Sequence, residues 1–195
     1  MSSPRIVIVI YSMYGHIAKL AEAVKTGIEG AGGKAVIYHT HQDARAPKEA
    51  AYPIIDAATL ATFDAFIMGI PTRFGNFPGQ WKAFWDTTSS LWATGALAGK
   101  YAGAFVSTAG PGGGQEVTIQ NAISTLTHHG VIFVPLGSWQ AYAQLANLTE
   151  VHGGSPWGAG TFAGADGSRQ PTALELEIAR IQGKVFYEVV GRVKF

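Results

Sequence analysis

The chain has 195 residues, 47% of them apolar and 14% charged, with a net charge of +1; average soluble chains are about 25% charged. That length fits one α/β domain over residues 1–195, and so sparse and balanced a charge excludes the phosphate-tracking face of a nucleic-acid binder. The absence of cysteine excludes disulfides, a thiol nucleophile, iron–sulfur clusters and zinc ribbons.

Ile6 to Ile10 is an unbroken β-branched run, as in a strand buried on both faces of a parallel sheet. Ile17, Leu20, Ala21, Val24 and Ile28 then recur at helical spacing, and Gly30, Gly32 and Gly33 end the helix. Ala35 to Tyr38 and Phe66 to Ile70 read as the second and third strands, separated by a polar, alanine-rich surface excursion containing Pro47 and Pro53. A helix beginning near Pro78 and Gly79 sets Trp81, Phe84, Trp85 and Thr88 on one stripe, a pattern that favours packing. Tyr101 to Val106 is the fourth strand, Glu116 to Thr127 a helix and Val131 to Val134 the fifth strand. Gly158 to Ala163 satisfies a dinucleotide-binding pattern in its Gly/Ala form, but no strand precedes it, and it reads as loop. Leu174, Ile178, Ile181, Val185 and Val189 mark a terminal helix, introduced by Thr172 and Glu175 at capping-box spacing. Five strands alternating with helices predict a doubly wound α/β sheet. No apolar run approaches the ~20 residues of a membrane span, and the amino terminus lacks a signal-peptide core. A cytoplasmic protein with no integral membrane segment is expected.

In a doubly wound sheet the ligand sits beyond the carboxyl ends of the strands, where three loops stand out. The first, Tyr11 to Ile17, places a hydroxyl and a glycine before a helix start that binds phosphate through amides and its dipole; the alternative is that Ser12 is a plain helix cap. No Walker lysine follows, which favours a monophosphate over a triphosphate. The second, Pro71 to Gly79, offers amides and two aromatic rings in a turn stiffened by proline and glycine, suited to the edge of a flat polar ring system. The third, Ser107 to Gln115, is nearly free of side chains, so a ligand there meets backbone at close approach. The pairs His39 with His41 and His128 with His129 lack a third ligand, and no metal is expected. His128 reads either as a ligand donor or as a histidine favoured by the dipole at a helix end.

Ser12 to Ile17, Pro71 to Asn76, Leu91 to Leu97, the glycine run into Gln115 and Glu116, His128-His129-Gly130 and Gly164 to Pro171 closely resemble, in order and over nearly the full length, the WrbA family of NAD(P)H:quinone oxidoreductases. The resemblance implies a flavodoxin-like fold with helices on both faces of a five-stranded parallel sheet. It also implies FMN as cofactor, NADH or NADPH as donor, two-electron reduction of quinones by a ping-pong hydride mechanism, and a homotetramer, a dimer being the alternative. By the same motifs Ser12, Met13, Tyr14, Gly15, His16 and Ile17 would hold the FMN phosphate. Pro71, Thr72, Arg73, Phe74 and Gly75 would line the isoalloxazine, and Ser107, Thr108, Ala109, Gly110, Pro111, Gly112 and Gly113 would meet its pyrimidine edge. His128 would touch the flavin, with Tyr14 beside the nicotinamide and Trp92 beside the quinone. Two departures from the family pattern are a glycine loop one residue longer, at Ala109-Gly110-Pro111, and a shorter region from Thr40 to Asp56. The rival classes are a one-electron flavodoxin-type carrier, which is usually strongly acidic where this chain is not, and a flavin-binding sensor without quinone turnover.

Overall fold

The computed structural model describes residues 3–40 and 52–195. The elements in chain order are β1 (Ile6–Ile10), α1 (His16–Gly30), β2 (Ala35–His39), α2 (Ala57–Ala61), β3 (Ala65–Pro71), α3 (Gly79–Asp86), α4 (Ser89–Thr94), β4 (Tyr101–Thr108), α5 (Gln115–His128), β5 (Ile132–Phe133), α6 (Tyr142–Leu145), β6 (Gly160–Phe162) and α7 (Ala173–Val190). The strands form a parallel sheet in the order β2-β1-β3-β4-β5, with β6 also paired to β4.

The central strands are apolar throughout because both faces are covered, and their period of two divides the core. Ile6, Ile8 and Ile10 of β1 join Ile67 and Phe105 beneath α1 and α7, whereas Val7 and Val9 join Phe66, Met68, Ile70 and Val106 beneath α3 and α5. Trp81, Phe84 and Trp85 are buried in the second layer, and Thr88 is buried beside them. The expected capping box opens α7: Thr172 accepts from the Glu175 amide and Glu175 from the Thr172 amide.

The expected loop at 158–163 is corrected: Gly160–Phe162 is a strand, so among the described residues the sheet has a sixth strand beside the expected five. The fifth strand is also shorter than expected, pairing Ile132 and Phe133 with Tyr101 and Ala102, because the Val131 amide turns back to Leu126 O. β4 is long enough to need a second neighbour further along, and β6 fills that place beside Val106, Ser107 and Thr108. Glycine permits the approach: a Cβ on Gly158 would lie 1.9 Å from Ala104 O, and one on Gly160 2.1 Å from Gln115 Oε1. Of the expected excursion between β2 and β3, residues 41–51, including Pro47, lie outside the described residues. Pro53 and Ile55 bond the backbone of His39 and extend the β2 edge.

Helices α1 and α7 cross almost backbone to backbone. A Cβ on Gly27 would stand 1.9 Å from Arg180 O and one on Gly183 2.0 Å from Val24 O. Both contacts are to main chain, which has no rotamer by which to yield. Gly183→Ala is therefore expected to cost about 3 kcal/mol, read as a lower urea midpoint at unchanged slope; an unchanged midpoint would contradict this packing.

Candidate functional site

Beyond the carboxyl ends of β1, β3 and β4 lies a cleft of about 400 Å³, walled by the three loops and by the segment after β6. The first loop enters α1 through Gly15, whose φ of 88° is the left-handed conformation glycine adopts without strain. Ser12 is thus not the helix cap. α1 has no side-chain cap and no acidic residue in its first turn, so its first amides and the positive end of its dipole are left for an anion. The space beside Gly15 is open, with nothing within 4 Å of where a Cβ would stand. The Ser12 backbone is held from behind by the buried His39, whose Nε2 lies 2.8 Å from the Ser12 amide and 3.2 Å from the Ser12 carbonyl.

The second loop is tied to β4 and α5. Thr72 N donates to Ser107 O at 2.8 Å, and Thr118 Oγ1 spends its proton on Gly114 O, so Thr72 Oγ1 donates to Thr118 Oγ1 at 3.0 Å. Arg73 and Asn76 exchange backbone hydrogen bonds around Phe74 and Gly75, whose φ values are 55° and 70°. An aromatic residue at positive φ is strained, and the Phe74 ring is fully exposed. Arg73 turns its guanidinium onto Thr72 O at 2.9 Å inside the cleft.

The third loop is compact where side chains are missing. Gly113 N and Thr108 Oγ1 both donate to Gly110 O at 3.0 Å, and a Cβ on Gly113 would lie 2.5 Å from Thr108 Cβ. Gly114, at φ 84°, packs against Gly75 and joins the second and third loops.

The fourth wall is the one sequence reasoning missed as a site, although its Ala165-Asp166-Gly167 run carries a turn signal. Ala163 and Gly164 donate to Thr108 O and Ala109 O, prolonging the β6–β4 pairing into the site. His16 Nε2 donates to Arg169 O at 2.9 Å and so joins this wall to the first loop. Beneath it, Arg169 pairs at 3.0 Å with the wholly buried Glu175, which also accepts from Gly153 N, Thr161 Oγ1 and Phe162 N. Asp166, on the cleft wall, accepts from the amide and hydroxyl of Ser168, which hold its carboxyl below the usual carboxylate range.

The cleft thus brings together Ser12, Met13, Tyr14, His16, Ile17, Pro71, Thr72, Arg73, Ser107, Thr108 and Ala109 on its wall. Gly15, Phe74, Gly75, Gly110, Pro111, Gly112 and Gly113 belong to the same loops without lining it. Two expected residues lie elsewhere in the protomer. His128 ends α5, a helix of 14 residues and so about 20 Å long, whose other end adjoins the glycine loop. Trp92, exposed on α4, shares the His128 corner, where Gly99 N donates to Gly130 O and Thr88 meets His129. Among the described residues no three metal-ligating side chains gather, and no helix is long and apolar enough to cross a membrane; His41 lies outside those residues.

A doubly wound parallel sheet with an amide-lined anion cradle at its switch point defines a flavodoxin-like protein. The family of NADPH-dependent FMN reductases matches residues 16–144, well over half of the chain. Protoplast secreted protein 2 of Saccharomyces cerevisiae is 60% identical, over 97% of this chain and 99% of its own length. NAD(P)H quinone oxidoreductase PST3 of Candida albicans is also 60% identical, over 97% of this chain and all of its own. Among solved structures, a flavodoxin, WrbA-like protein from Agrobacterium tumefaciens superposes with a TM-score of 0.70 at 26% identity, covering 98% of this chain and 100% of that one. The chain belongs to the WrbA-like quinone oxidoreductases of the FMN reductase family, an enzyme class built around FMN.

The cradle fits that group, since uncapped amides at α1 suit a monophosphate, and a wall of small residues, Ser107, Thr108, Ala109, Ala163 and Gly164, leaves room for a flat ring. Because a Cβ on Gly113 would push Thr108 out of the wall, Gly113→Ala is expected to weaken FMN binding about tenfold, or ~1.4 kcal/mol. Flavin fluorescence titration measures this, and an unchanged dissociation constant would contradict the contact.

Proposed function

We propose that the chain is an FMN-dependent NAD(P)H:quinone oxidoreductase that uses one cleft for both substrates in turn. Overall, a quinone, a nicotinamide dinucleotide and a proton become a hydroquinone and the oxidised dinucleotide. FMN held by these loops would supply the hydride-accepting and two-electron-donating chemistry that links the two substrates. The observation that carries the reading is the cleft itself, where an uncapped helix start, a strained aromatic turn and a glycine loop converge at the switch point of the sheet.

The protein's part is binding, orientation and charge. The amides from Met13 to Ile17 hold the phosphate, and Thr72, Arg73 and Phe74 border the ring. The glycine loop from Ala109 to Gly113 sets backbone dipoles at the pyrimidine edge, where reduction places negative charge. Tyr14, exposed at the cleft mouth, offers a flat surface to a flat substrate. His128 and Trp92 serve the reaction from a second copy. Their place at the far end of α5 from the glycine loop supports this reading, as does a homotetramer in which the α4–α5 corner of one copy meets the cleft of another. Its place of action is the cytoplasm, which holds the reduced dinucleotides it consumes.

Initial rates with NADH and benzoquinone varied together are expected to give parallel double-reciprocal lines; intersecting lines would contradict shared use of one cleft. Mixing subunits tests the assembly. His128→Ala and a variant with a disabled phosphate loop, Gly15→Val, are each expected to be nearly inactive alone, and co-refolding them is expected to restore activity above either parent. No gain over the parents would contradict a site shared between copies.

A further inference from the structure

Adjacent to His128, and unused so far, is a buried histidine. His129 caps α5 and is 8% exposed, and its Nδ1 is one of two buried side-chain polar atoms without a hydrogen-bond partner among the described residues, Thr40 Oγ1 being the other. Its Nε2 stands 2.9 Å from Thr88 Oγ1, and Thr88 Oγ1 gives its single proton to Trp85 O at 2.6 Å. Nε2 therefore carries the ring proton and donates it to Thr88, which leaves Nδ1 a bare acceptor. The ring leans on Trp85, the centroids 5.8 Å apart.

Thr88 is the residue that caps α4, and its carbonyl accepts the Trp92 amide at 3.1 Å. One imidazole thus joins the helix that carries Trp92 to the helix end that carries His128. We propose that His129 is a positioning residue: neutral and protonated at Nε2, it locks the α4–α5 corner that presents Trp92 and His128, and uptake of a proton at Nδ1 releases the lock. The proposal rests on the reading above that those two residues complete the site of a second copy.

A proton on Nδ1 would create a buried donor with no acceptor and a charge among apolar rings, both costly. Burial first, and then the charge of His128, hold the His129 pKa below the ordinary histidine range. Other charges nearby are committed elsewhere. Lys82 and Asp86 of α3 pair with each other, α4 carries no charged side chain, and Lys100 at the start of β4 donates to Ala61 O and Phe63 O. Because the folded pKa is lowered, the stabilisation is complete above the unfolded value of about 6.5 and is lost as pH falls from there toward and through the folded value. The corner is acid-labile and stable at neutral pH.

The test follows the holoenzyme by histidine 15N NMR and by turnover across pH 5 to 8. His129 is expected as the Nε2–H tautomer at neutral pH, titrating in one step below the ordinary histidine range, with turnover falling in the same step. His129→Leu is expected to lose about tenfold in turnover with benzoquinone at neutral pH. His129→Gln, whose amide still donates to Thr88 and does not titrate, restores most of that loss and flattens the acid limb, and His128→Ala moves the His129 step upward. An Nδ1–H tautomer would overturn the proposal. A His129→Leu enzyme with the wild-type pH profile beside an inactive His128→Ala would also overturn it, while leaving the reading of the site intact. Unchanged turnover in His128→Ala would overturn that reading, and the proposal with it.

Discussion

The chain leaves two neighbouring strands on opposite sides of one sheet, and the site depends on that divergence. From β1 it runs through α1 to the outer strand β2, and from β3 it runs the other way through α3 and α4 to β4. Right-handed crossovers in opposite directions put α1 and α3 on opposite faces, so the loops after β1 and β3 separate and a crevice opens between them. The alternation of Ile and Val in β1 feeds both layers, and the Gly27 and Gly183 contacts let α7 lie against α1 closely enough to seal one of them. The first loop can therefore leave its amides uncapped, because packing and not local capping holds α1 in place.

Much of this was legible in the residues. Continuous β-branched strands, glycine-ended helices and the Thr172–Glu175 box are local signals that the tertiary structure reinforces. β6 was not legible, because three residues beginning with a glycine carry no periodicity, and only the length of β4 makes a strand of them. The wall from Ala163 to Gly167 went unassigned for the same reason, since its place in the cleft is inherited from β6. The distance of His128 from the cleft was implicit in the length of α5, because fourteen helical residues cannot return to their own start. So was the difference between the two adjacent histidines: Ile119, Ala122, Leu126 and His129 fall on one buried helical stripe, and His128 falls off it.

Three histidines brace the loops and helix ends around the candidate site. His39 Nε2 meets the Ser12 backbone of the first loop, His16 Nε2 donates to Arg169 O in the wall after β6, and His129 Nε2 meets Thr88 Oγ1 at the start of the helix that carries Trp92. The cleft itself relies on amides and helix dipoles more than on cations. The nearest lysine of α1, Lys19, is turned to Gln170. A site that holds its cofactor by fixed dipoles reorganises little when the charge on that cofactor changes, which suits a cofactor that alternates between oxidised and reduced forms.

The central claim is that this cleft carries two electrons from a nicotinamide to a quinone without releasing them singly. It is tested most directly by anaerobic titration of the FMN-loaded protein, first with NADH or NADPH and then with benzoquinone, following the visible flavin absorbance. The account predicts bleaching in one step by one equivalent of donor and full recovery of colour with one equivalent of quinone. A long-lived one-electron-reduced flavin, or bound flavin that neither dinucleotide bleaches, would contradict it.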